Sequence, residues 1–469
     1  MKLAVLGLDG LFPECIDTFA HAFPALTRLR REGFAAPLLS TMPPYTPQAW
    51  TSMVTGVNPG RHGIAGFTRR AGSREEPVDR TWIRARQFWD YLAAGEVRTG
   101  LLNVPLSHPV PQMPGFAVAG MLCPSPAAPG FAWPPPLASE LLARVPDYAV
   151  DVAVKKKDFH DPRAAARIRA ALSARLRAAR FLLETRPVDV FFCVFVALDR
   201  TFHLWFRYLD PRDPLWAAQQ AAAIRGALLP AFAEIDAFAA ELAGRADRLL
   251  VVSDHGFRPE EGKFYANRFL ARHGLAALRP SLARALSEGA IRLFGRDRLR
   301  RLLPKALIEG GLAAAAPAVE GRAFAAPLAA QGIFAADEEA RAEVMRLLRE
   351  LRDPRTGAPL ATALYTREEL YAGPECHRFP HIVLELAGGG IEVSPHLLGR
   401  EHLRFTPADW PGGHHDRRGV WIAHGRGIAP RVAAEPLRIE DVLPTALALL
   451  GLPVPEGLDG RPALAPEEA

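Results

Sequence analysis

Short apolar segments that end in an acidic residue constrain the fold of this chain more than any other feature. They alternate with longer Ala-, Leu- and Arg-rich segments of helical character, such as 164–184 and 213–243. Buried strands that alternate with helices predict an α/β fold with a mostly parallel sheet sandwiched by helices. The three clearest apolar segments are LAVLGL (3–8) before Asp9, VDVFFCVFVAL (188–198) before Asp199, and DRLLVVS (247–253) before Asp254.

Acidic residues that follow separate strands of one sheet are expected to meet. In an open α/β sheet the ligand site lies beyond the carboxyl ends of the strands. A fourth apolar segment, GVWIAHG (419–425), follows the histidine-containing loop PGGHHDRRG (411–419). We therefore expect one shared site at this edge of the sheet.

Histidines close to the acidic residues complete a possible set of metal ligands. Asp199 and His203 are four residues apart, so they would share one face of a helix that begins after the strand. Asp254 and His255 are adjacent at a strand end, so their side chains diverge and the pair can serve two metal ions. Carboxylate and imidazole ligands suit zinc and related ions. The candidate ligands are Asp9, Asp199, His203, Asp254, His255 and either His414 or His415.

Charge and composition narrow the class of partner. The 469 residues carry a net charge of +6, but Arg and Glu alternate along helical segments such as 340–353, which is typical of solvated helix faces. We therefore do not expect nucleic acid as the main partner, whereas the mild positive field favours a small anionic substrate.

The cysteines and the hydropathy pattern bear on location. Four cysteines are scattered without a CxxC motif, which predicts reduced thiols in a cytoplasmic protein. The amino-terminal apolar run is too short for a signal peptide, and no segment approaches 18 uninterrupted apolar residues. We expect no membrane span.

A threonine in a Pro-rich segment supplies a candidate nucleophile. In PPYTPQAWTSMVTGVNPGRHGIAGF (43–67), Thr46 lies nine residues before the Thr55-Gly56 pair, and a Pro-x-x-His-Gly-Ile sequence follows at 59–64. With these motifs the chain resembles the alkaline phosphatase superfamily, and within it the type I phosphodiesterase/nucleotide pyrophosphatase branch. The other motifs occur in the family's order along nearly the whole chain.

The resemblance implies hydrolysis of phosphate esters, most often diesters, with two divalent metal ions, zinc or alternatively manganese. One ion would be held by Asp199, His203 and the late histidine, and the other by Asp9, Asp254 and His255, with the Thr46 oxygen close to it. Coordination would lower the pKa of the threonine hydroxyl, which would attack phosphorus and form a phosphothreonine intermediate.

Two positions depart from the family pattern. In the nucleotide pyrophosphatases an Asn that binds a phosphate oxygen follows the His-Gly-Ile segment, but this chain has Phe67 there. Asn103, after another apparent strand, is a possible substitute for substrate binding. Both histidines of the late loop satisfy a Gly-x-His motif. Family members usually have a Gly four residues after the ligand, and Gly419 lies four residues after His415, so the resemblance favours His415 over His414.

The ligand positions also predict how the chain divides. Residues 1–257 and 411–469 are expected to form the catalytic core, and 258–410 an insertion. Within the insertion, the Ala-, Arg- and Leu-rich stretch 268–330 is predicted as a helical cap, and 336–390 as a small α+β unit.

Other reactions on the same scaffold remain open. These are phosphomonoester or phosphonate hydrolysis and phosphoryl transfer of the phosphomutase type. A sulfatase-like activity is disfavoured because the segment after Thr46 has no Cys-x-Pro-x-Arg motif. An inactive binding module is the alternative from another class, although every expected ligand position is filled. The oligomeric state cannot be predicted from these patterns.

Overall fold

The computed structural model describes residues 1–71, 74–152, 154, 158–159, 161–278, 319–326, 331–396 and 401–464. Twenty-three strands lie within these ranges. In chain order they are β1 Leu3–Leu8, β2 Phe34–Leu39, β3 Thr68–Ala71, β4 Arg74–Pro77, β5 Thr99–Leu102, β6 Gly115–Val118, β7 Ala132–Trp133, β8 Val190–Phe195, β9 Arg248–Val252, β10 Gly256–Pro259, β11 Gly262–Tyr265, β12 Ala276–Leu278, β13 Val319–Gly321, β14 Ala323–Phe324, β15 Gly332–Ala335, β16 Ala361–Thr366, β17 Ile382–Leu386, β18 Ile391–Ser394, β19 Leu403–Phe405, β20 Gly413–Asp416, β21 Arg418–Gly425, β22 Arg431–Val432 and β23 Leu437–Arg438.

The same ranges contain thirteen α-helices and several short 3₁₀ turns. The α-helices are α1 Pro13–Thr18, α2 Pro24–Glu32, α3 Thr46–Thr55, α4 Pro59–His62, α5 Phe88–Ala94, α6 Leu137–Arg144, α7 Arg163–Thr185, α8 Ala197–Leu209, α9 Gln219–Arg245, α10 Ala266–Arg272, α11 Glu338–Glu350, α12 Arg367–Leu370 and α13 Val442–Leu449.

The core of the molecule is a ten-stranded sheet in the order β22-β2-β21-β9-β1-β8-β5-β6-β7, with β23 beside β2. β1 pairs in parallel with both β8 and β9, and β5 pairs in parallel with β6 and β8. Every residue of β1 and β8 is buried, as expected for central strands that are covered on both faces. Long helices such as α7 and α9 flank the sheet. The predicted α/β fold with a mostly parallel sheet is therefore confirmed.

One strand of this sheet runs against the others around it. β21 pairs antiparallel with β2 and with β9. Its amino end therefore lies at the edge where the parallel strands β1, β8 and β9 have their carboxyl ends. The histidine-containing loop that precedes β21 is brought to this edge by the strand's reversed direction.

A second sheet with its own hydrophobic cluster is built from residues between Gly262 and Phe405. Its order is β14-β15-β17-β18-β11-β19, with β16 beside β17. The cluster includes Phe264, Val344 and Leu384. These residues lie within the predicted insertion 258–410, and the helix and strands expected at 336–390 are present as α11, β16 and β17.

The described parts of the predicted helical cap begin as a helix but otherwise contain strands. α10 covers the first residues of 268–330, but β12 and β13 then form an antiparallel pair, and β14 follows. Backbone pairing between residues more than 40 positions apart overrides the helical propensity of the Ala- and Leu-rich ends. Residues 279–318, where most of the cap was predicted, lie outside the described residues.

Two further findings concern the cysteines and the apolar helices. All four cysteines are free thiols, in agreement with the sequence. Within the described parts of the chain, no helix is both long enough and apolar enough to span a bilayer.

Candidate active site

The carboxyl edge of the central sheet brings the predicted metal ligands together. Asp9 directly follows β1, Asp254 and His255 follow β9, and Asp199 lies in the first turn of α8, four residues after β8. His203 is one turn further along α8. All are buried except His203, which is partly exposed.

The candidate nucleophile is the first residue of α3. Thr46 begins this helix, Pro47 occupies the first turn where its missing N–H costs nothing, and Gly56 ends the helix with a φ of 66°. The helix packs closely on β1, because a Cβ at Gly7 would lie 2.4 Å from the Trp50 ring. This close packing places the buried Thr46 hydroxyl 3.3 Å from Nε2 of His255.

The first group of ligands surrounds one oxygen of Asp199. Oδ1 of Asp199 is 3.3 Å from Nε2 of His203 and 3.3 Å from Nε2 of His415. The two imidazole nitrogens are 2.9 Å apart. His255 also approaches this oxygen, with its Nε2 at 3.9 Å.

The second group surrounds the same histidine, His255. Its Nε2 lies 3.5 Å from Oδ1 of Asp9 and 3.3 Å from Oδ2 of Asp254. Two sets of convergent ligand atoms therefore share His255: Asp199, His255 and His415 form one, and Asp9, Asp254 and His255 form the other. The family resemblance implied His203 in place of His255 in the first set, and His255 in the second set alone.

Each carboxylate in the site has one oxygen held by a protein donor and one oxygen free. The indole N–H of Trp50 donates to Oδ2 of Asp9 over 3.0 Å, the backbone N–H of Gly10 donates to Oδ1 of Asp254 over 3.4 Å, and Arg200 donates to Oδ2 of Asp199. The other three oxygens are buried and have no hydrogen-bond donor among the described residues: Asp9 Oδ1, Asp199 Oδ1 and Asp254 Oδ2.

The three histidines are oriented by backbone carbonyls. Nδ1 of His203, His255 and His415 lies 3.3, 3.1 and 2.8 Å from the carbonyl oxygens of Gly413, Gly256 and Pro44. Because a carbonyl only accepts, Nδ1 carries the proton in each neutral ring, and the lone pair on Nε2 points into the site.

Free carboxylate oxygens and imidazole lone pairs at such short separations fit divalent metal ions. Two lone pairs 2.9 Å apart, and buried carboxylates without donors, are unfavourable unless a cation lies between them. Imidazole held through its second nitrogen is also the usual arrangement of a metal ligand. These residues therefore fit a metal centre.

Burial and the close approach of charged groups shift the pKa values of the site residues. Burial, together with the charge of Asp199, raises the pKa of Asp9 well above its usual value. Burial and the charge of Asp9 likewise raise the pKa of Asp254. Burial also acts on Asp199, but His203 and Arg200 outweigh it and hold the pKa of Asp199 well below its usual value. Burial lowers the pKa values of His255 and His415, which favours their neutral, ligating form.

The two adjacent histidines of the late loop lie in different environments. β20 pairs with β10 so that His415 lies opposite Phe257 and His414 opposite Arg258. Adjacent residues of a strand point to opposite faces, so only His415 reaches Asp199. His414 instead lies 3.3 Å from the side-chain amide of Gln331.

Two other residues of the sequence motifs lie outside the ligand groups. His62, of the His-Gly-Ile segment, is fully buried between the Ser52 hydroxyl and the backbone N–H of Ile64. Asn103 follows β5, two strands from β1, and its Oδ1 accepts a hydrogen bond from the Tyr148 hydroxyl. Its buried Nδ2 has no acceptor within the described ranges, and its expected role in substrate binding stays a prediction.

Sequence reasoning missed the residues that orient the carboxylates. Trp50 and Arg200 each hold the second oxygen of a candidate ligand. Arg200 directly follows Asp199, which is a weak signal, because neighbours in a helix usually point apart.

Comparisons with known proteins agree with this geometry. Residues 3–415 match the family described as type I phosphodiesterase/nucleotide pyrophosphatase. No curated protein matches the sequence. Among solved structures, phosphonoacetate hydrolase from Sinorhizobium meliloti 1021 in complex with phosphonoformate shares the fold with a TM-score of 0.57 and 18% identity, over 94% of each chain.

A second solved structure is an inactive variant of murine ectonucleotide pyrophosphatase/phosphodiesterase 5 in complex with AMP. It has a TM-score of 0.53 and 14% identity, over 97% of this chain and 96% of that one. At such identities the likeness shows the fold.

The family match covers most of the chain and includes the candidate nucleophile and metal ligands, which confirms the expected class, a hydrolase acting on phosphoric ester bonds. The protein belongs to the type I phosphodiesterase/nucleotide pyrophosphatase family.

Proposed function

We propose that this protein hydrolyses phosphodiesters through a phosphothreonine intermediate on Thr46, with two divalent metal ions. One observation carries the proposal: the Thr46 hydroxyl lies 3.3 Å from His255, the residue shared by both ligand groups. A nucleophile at this position adjoins both proposed metal sites. Zinc is the proposed metal, since the ligands combine imidazole nitrogen with carboxylate oxygen, and manganese is the alternative.

The proposed reaction has two steps, and both take place at the phosphorus bonded by Thr46. Thr46 Oγ1 attacks phosphorus in line, so that an Oγ1–P bond forms as the bond to the leaving oxygen breaks. The proton given up by the threonine hydroxyl balances the one that the leaving oxygen takes up to depart as the alcohol. Water then attacks the same phosphorus and releases Thr46 and a phosphomonoester. Bound metal ions would supply the Lewis acidity that lowers the pKa of the hydroxyl and offsets the charge on the phosphoryl oxygens.

The amino end of α3 also favours an anionic group at this place. Thr46 is the first residue of a ten-residue helix, whose unpaired N–H groups and dipole attract negative charge. The murine relative's inactive form carries a threonine-to-alanine substitution and binds AMP, which supports a threonine nucleophile and a phosphate ligand here.

Phosphonate hydrolysis is the second candidate. The Sinorhizobium meliloti protein is named a phosphonoacetate hydrolase and was solved with phosphonoacetate as well as phosphonoformate. Its structure superposes on this one with a TM-score of 0.57. Phosphomonoester hydrolysis and phosphoryl transfer remain open on the same scaffold.

The nucleophile is tested by Thr46→Ala and Thr46→Ser. We expect the alanine variant to keep its fold and bound metal and to lose nearly all turnover, and the serine variant to keep part of the activity because the hydroxyl survives. Thr51→Ala is the matched control, since it removes a buried hydroxyl of the same helix that donates to the Pro47 carbonyl and has no hydrogen bond to a candidate ligand among the described residues. Turnover of Thr46→Ala above a few per cent of wild type would contradict the covalent mechanism.

The substrate class is tested by a parallel panel of a chromogenic phosphodiester, a phosphomonoester and phosphonoacetate, with zinc or manganese added. The proposal expects the diester to have the highest kcat/KM. A higher kcat/KM for phosphonoacetate would transfer the assignment to the second candidate.

A further inference from the structure

Arg200 is the donor that holds the second oxygen of Asp199. Its guanidinium donates to Oδ2 of Asp199 and leaves Oδ1 as the oxygen that faces His203 and His415. Both side chains are shielded, with exposed fractions of 19% for Arg200 and 2% for Asp199. One guanidinium edge therefore decides which oxygen of Asp199 is available in the site.

Arg200 is in turn held by a second carboxylate. Its Nη2 donates to Oδ2 of Asp151 over 2.6 Å, and its Nε approaches Oδ1 of the same residue at 3.3 Å. This is the two-pronged arrangement in which a planar guanidinium is held in one orientation. Asp151 thus fixes the plane of Arg200, and the remaining nitrogen points to Asp199.

The backbone that carries Asp151 is itself tied to the core. Arg175 of α7 is 2% exposed and donates to the carbonyl oxygens of Ala149, over 3.1 Å, and of Val150. The Tyr148 hydroxyl donates to Asn103 at the carboxyl edge of the sheet. Four consecutive residues, 148–151, are therefore anchored by buried or partly buried polar contacts.

We infer that Arg200, oriented by Asp151, is a positioning residue that restricts Asp199 to a single-oxygen metal ligand. Without the guanidinium, Asp199 could turn and offer both oxygens or neither to the metal. A ligand held in one orientation keeps the coordination number low and leaves room for a phosphoryl oxygen. The inference rests on the proposed function, since it takes Asp199 as a metal ligand.

The substitution at Arg200 is chosen so that the effect of its charge can be told apart from the effect of its geometry on Asp199. Removing the positive charge would by itself strengthen the attraction of a cation to the site and would oppose the loss of orientation. Arg200→Lys keeps the charge but replaces the planar fork with one ammonium group, which cannot hold both carboxylates in the same geometry. Arg180→Lys is the control, because Arg180 pairs with Glu241 over 2.8 Å, away from the candidate ligands.

The experiment titrates the metal-free full-length protein with zinc in competition with a chelator, and records the visible spectrum with cobalt(II) in its place. For Arg200→Lys we expect the affinity of one of the two equivalents to fall about 10–100-fold, as for other residues that orient metal ligands. We also expect a weaker cobalt band, because a higher coordination number lowers its intensity. Asp151→Asn should shift both readouts in the same direction by less.

A double variant tests whether Asp151 acts through Arg200. If it does, Asp151→Asn combined with Arg200→Lys should bind zinc no more weakly than Arg200→Lys alone. Wild-type zinc affinities and cobalt spectra in Arg200→Lys and Asp151→Asn would overturn the inference while leaving the proposed function intact. If wild-type protein itself binds neither zinc nor manganese, the proposed function fails. If Arg200→Lys does not fold, the visible cobalt(II) spectrum of Asp151→Asn tests the inference in its place.

Discussion

The buried His62 should make the protein less stable as the pH falls from neutral. Its Nδ1 accepts the backbone N–H of Ile64 over 3.2 Å, so its proton is on Nε2, which donates to the Ser52 hydroxyl over 3.0 Å. No site remains for a second proton, and burial lowers the pKa of His62 from 6.5 to about 3. In the unfolded chain the same ring takes up a proton near pH 6.5.

The sign and size of the effect follow from this difference. A lowered pKa in the folded state means that the stabilisation is fully present above pH 6.5 and is lost progressively as the pH falls toward about 3. Between about pH 7.5 and about pH 5.5 the loss is about 1.4 kcal/mol, and over the whole range it approaches about 5 kcal/mol.

Urea denaturation of wild type and His62→Asn at these two pH values measures the effect. Both proteins are kept metal-free with chelator, so that protonation of the metal ligands contributes equally to each. We expect the decrease in the free energy of unfolding to be about 1.4 kcal/mol smaller in His62→Asn than in wild type. His21→Asn, at an exposed position, is the control and should follow wild type. An equal decrease in wild type and His62→Asn would refute the reasoning.

Two further predictions concern the metal ligands. His415→Ala should lose one bound metal and the activity, whereas His414→Ala should keep both metals and change mainly KM, because His415 rather than His414 faces Asp199. Equal metal loss in both variants, measured by elemental analysis, would contradict this prediction. Asp9→Ala or Asp254→Asn should reduce bound metal toward one equivalent and abolish activity, since each change removes or neutralises an oxygen that has no hydrogen-bond donor among the described residues. Full metal content in both variants would show that these carboxylates are not ligands.

The positions of the candidate ligands along the chain could be predicted because they depend on local patterns. A buried apolar run followed by Asp9, Asp199 or Asp254 indicates a strand end, and parallel strands bring their carboxyl ends to one edge. The spacing between Asp199 and His203 similarly requires only that a helix begins there. The spacing around Thr46 was specific enough to indicate the family, which the match over residues 3–415 confirms.

Contacts between distant segments could not be predicted, because they depend on pairing and packing. The distance to Gly419 favoured His415 over His414, but the contacts of the two histidines depend on the pairing of β20 with β10, and the antiparallel direction of β21 brings their loop to the site. The pairing of β12 with β13 likewise replaces part of the predicted helical cap.

Tertiary structure also determines which of the polar residues lie among the candidate ligands and which lie elsewhere. His62 belongs to the motif that identified the family, yet it packs inside the core beside α3, while His255 is shared by two ligand groups. Arg200 donates both to Asp199 and to Asp151, which lies 49 positions away along the chain. Local sequence determined which residues arrive at the edge of the sheet, because strand and helix periodicity are short-ranged. The three-dimensional packing determined which atoms face one another there, because a side chain's direction depends on what its strand or helix packs against.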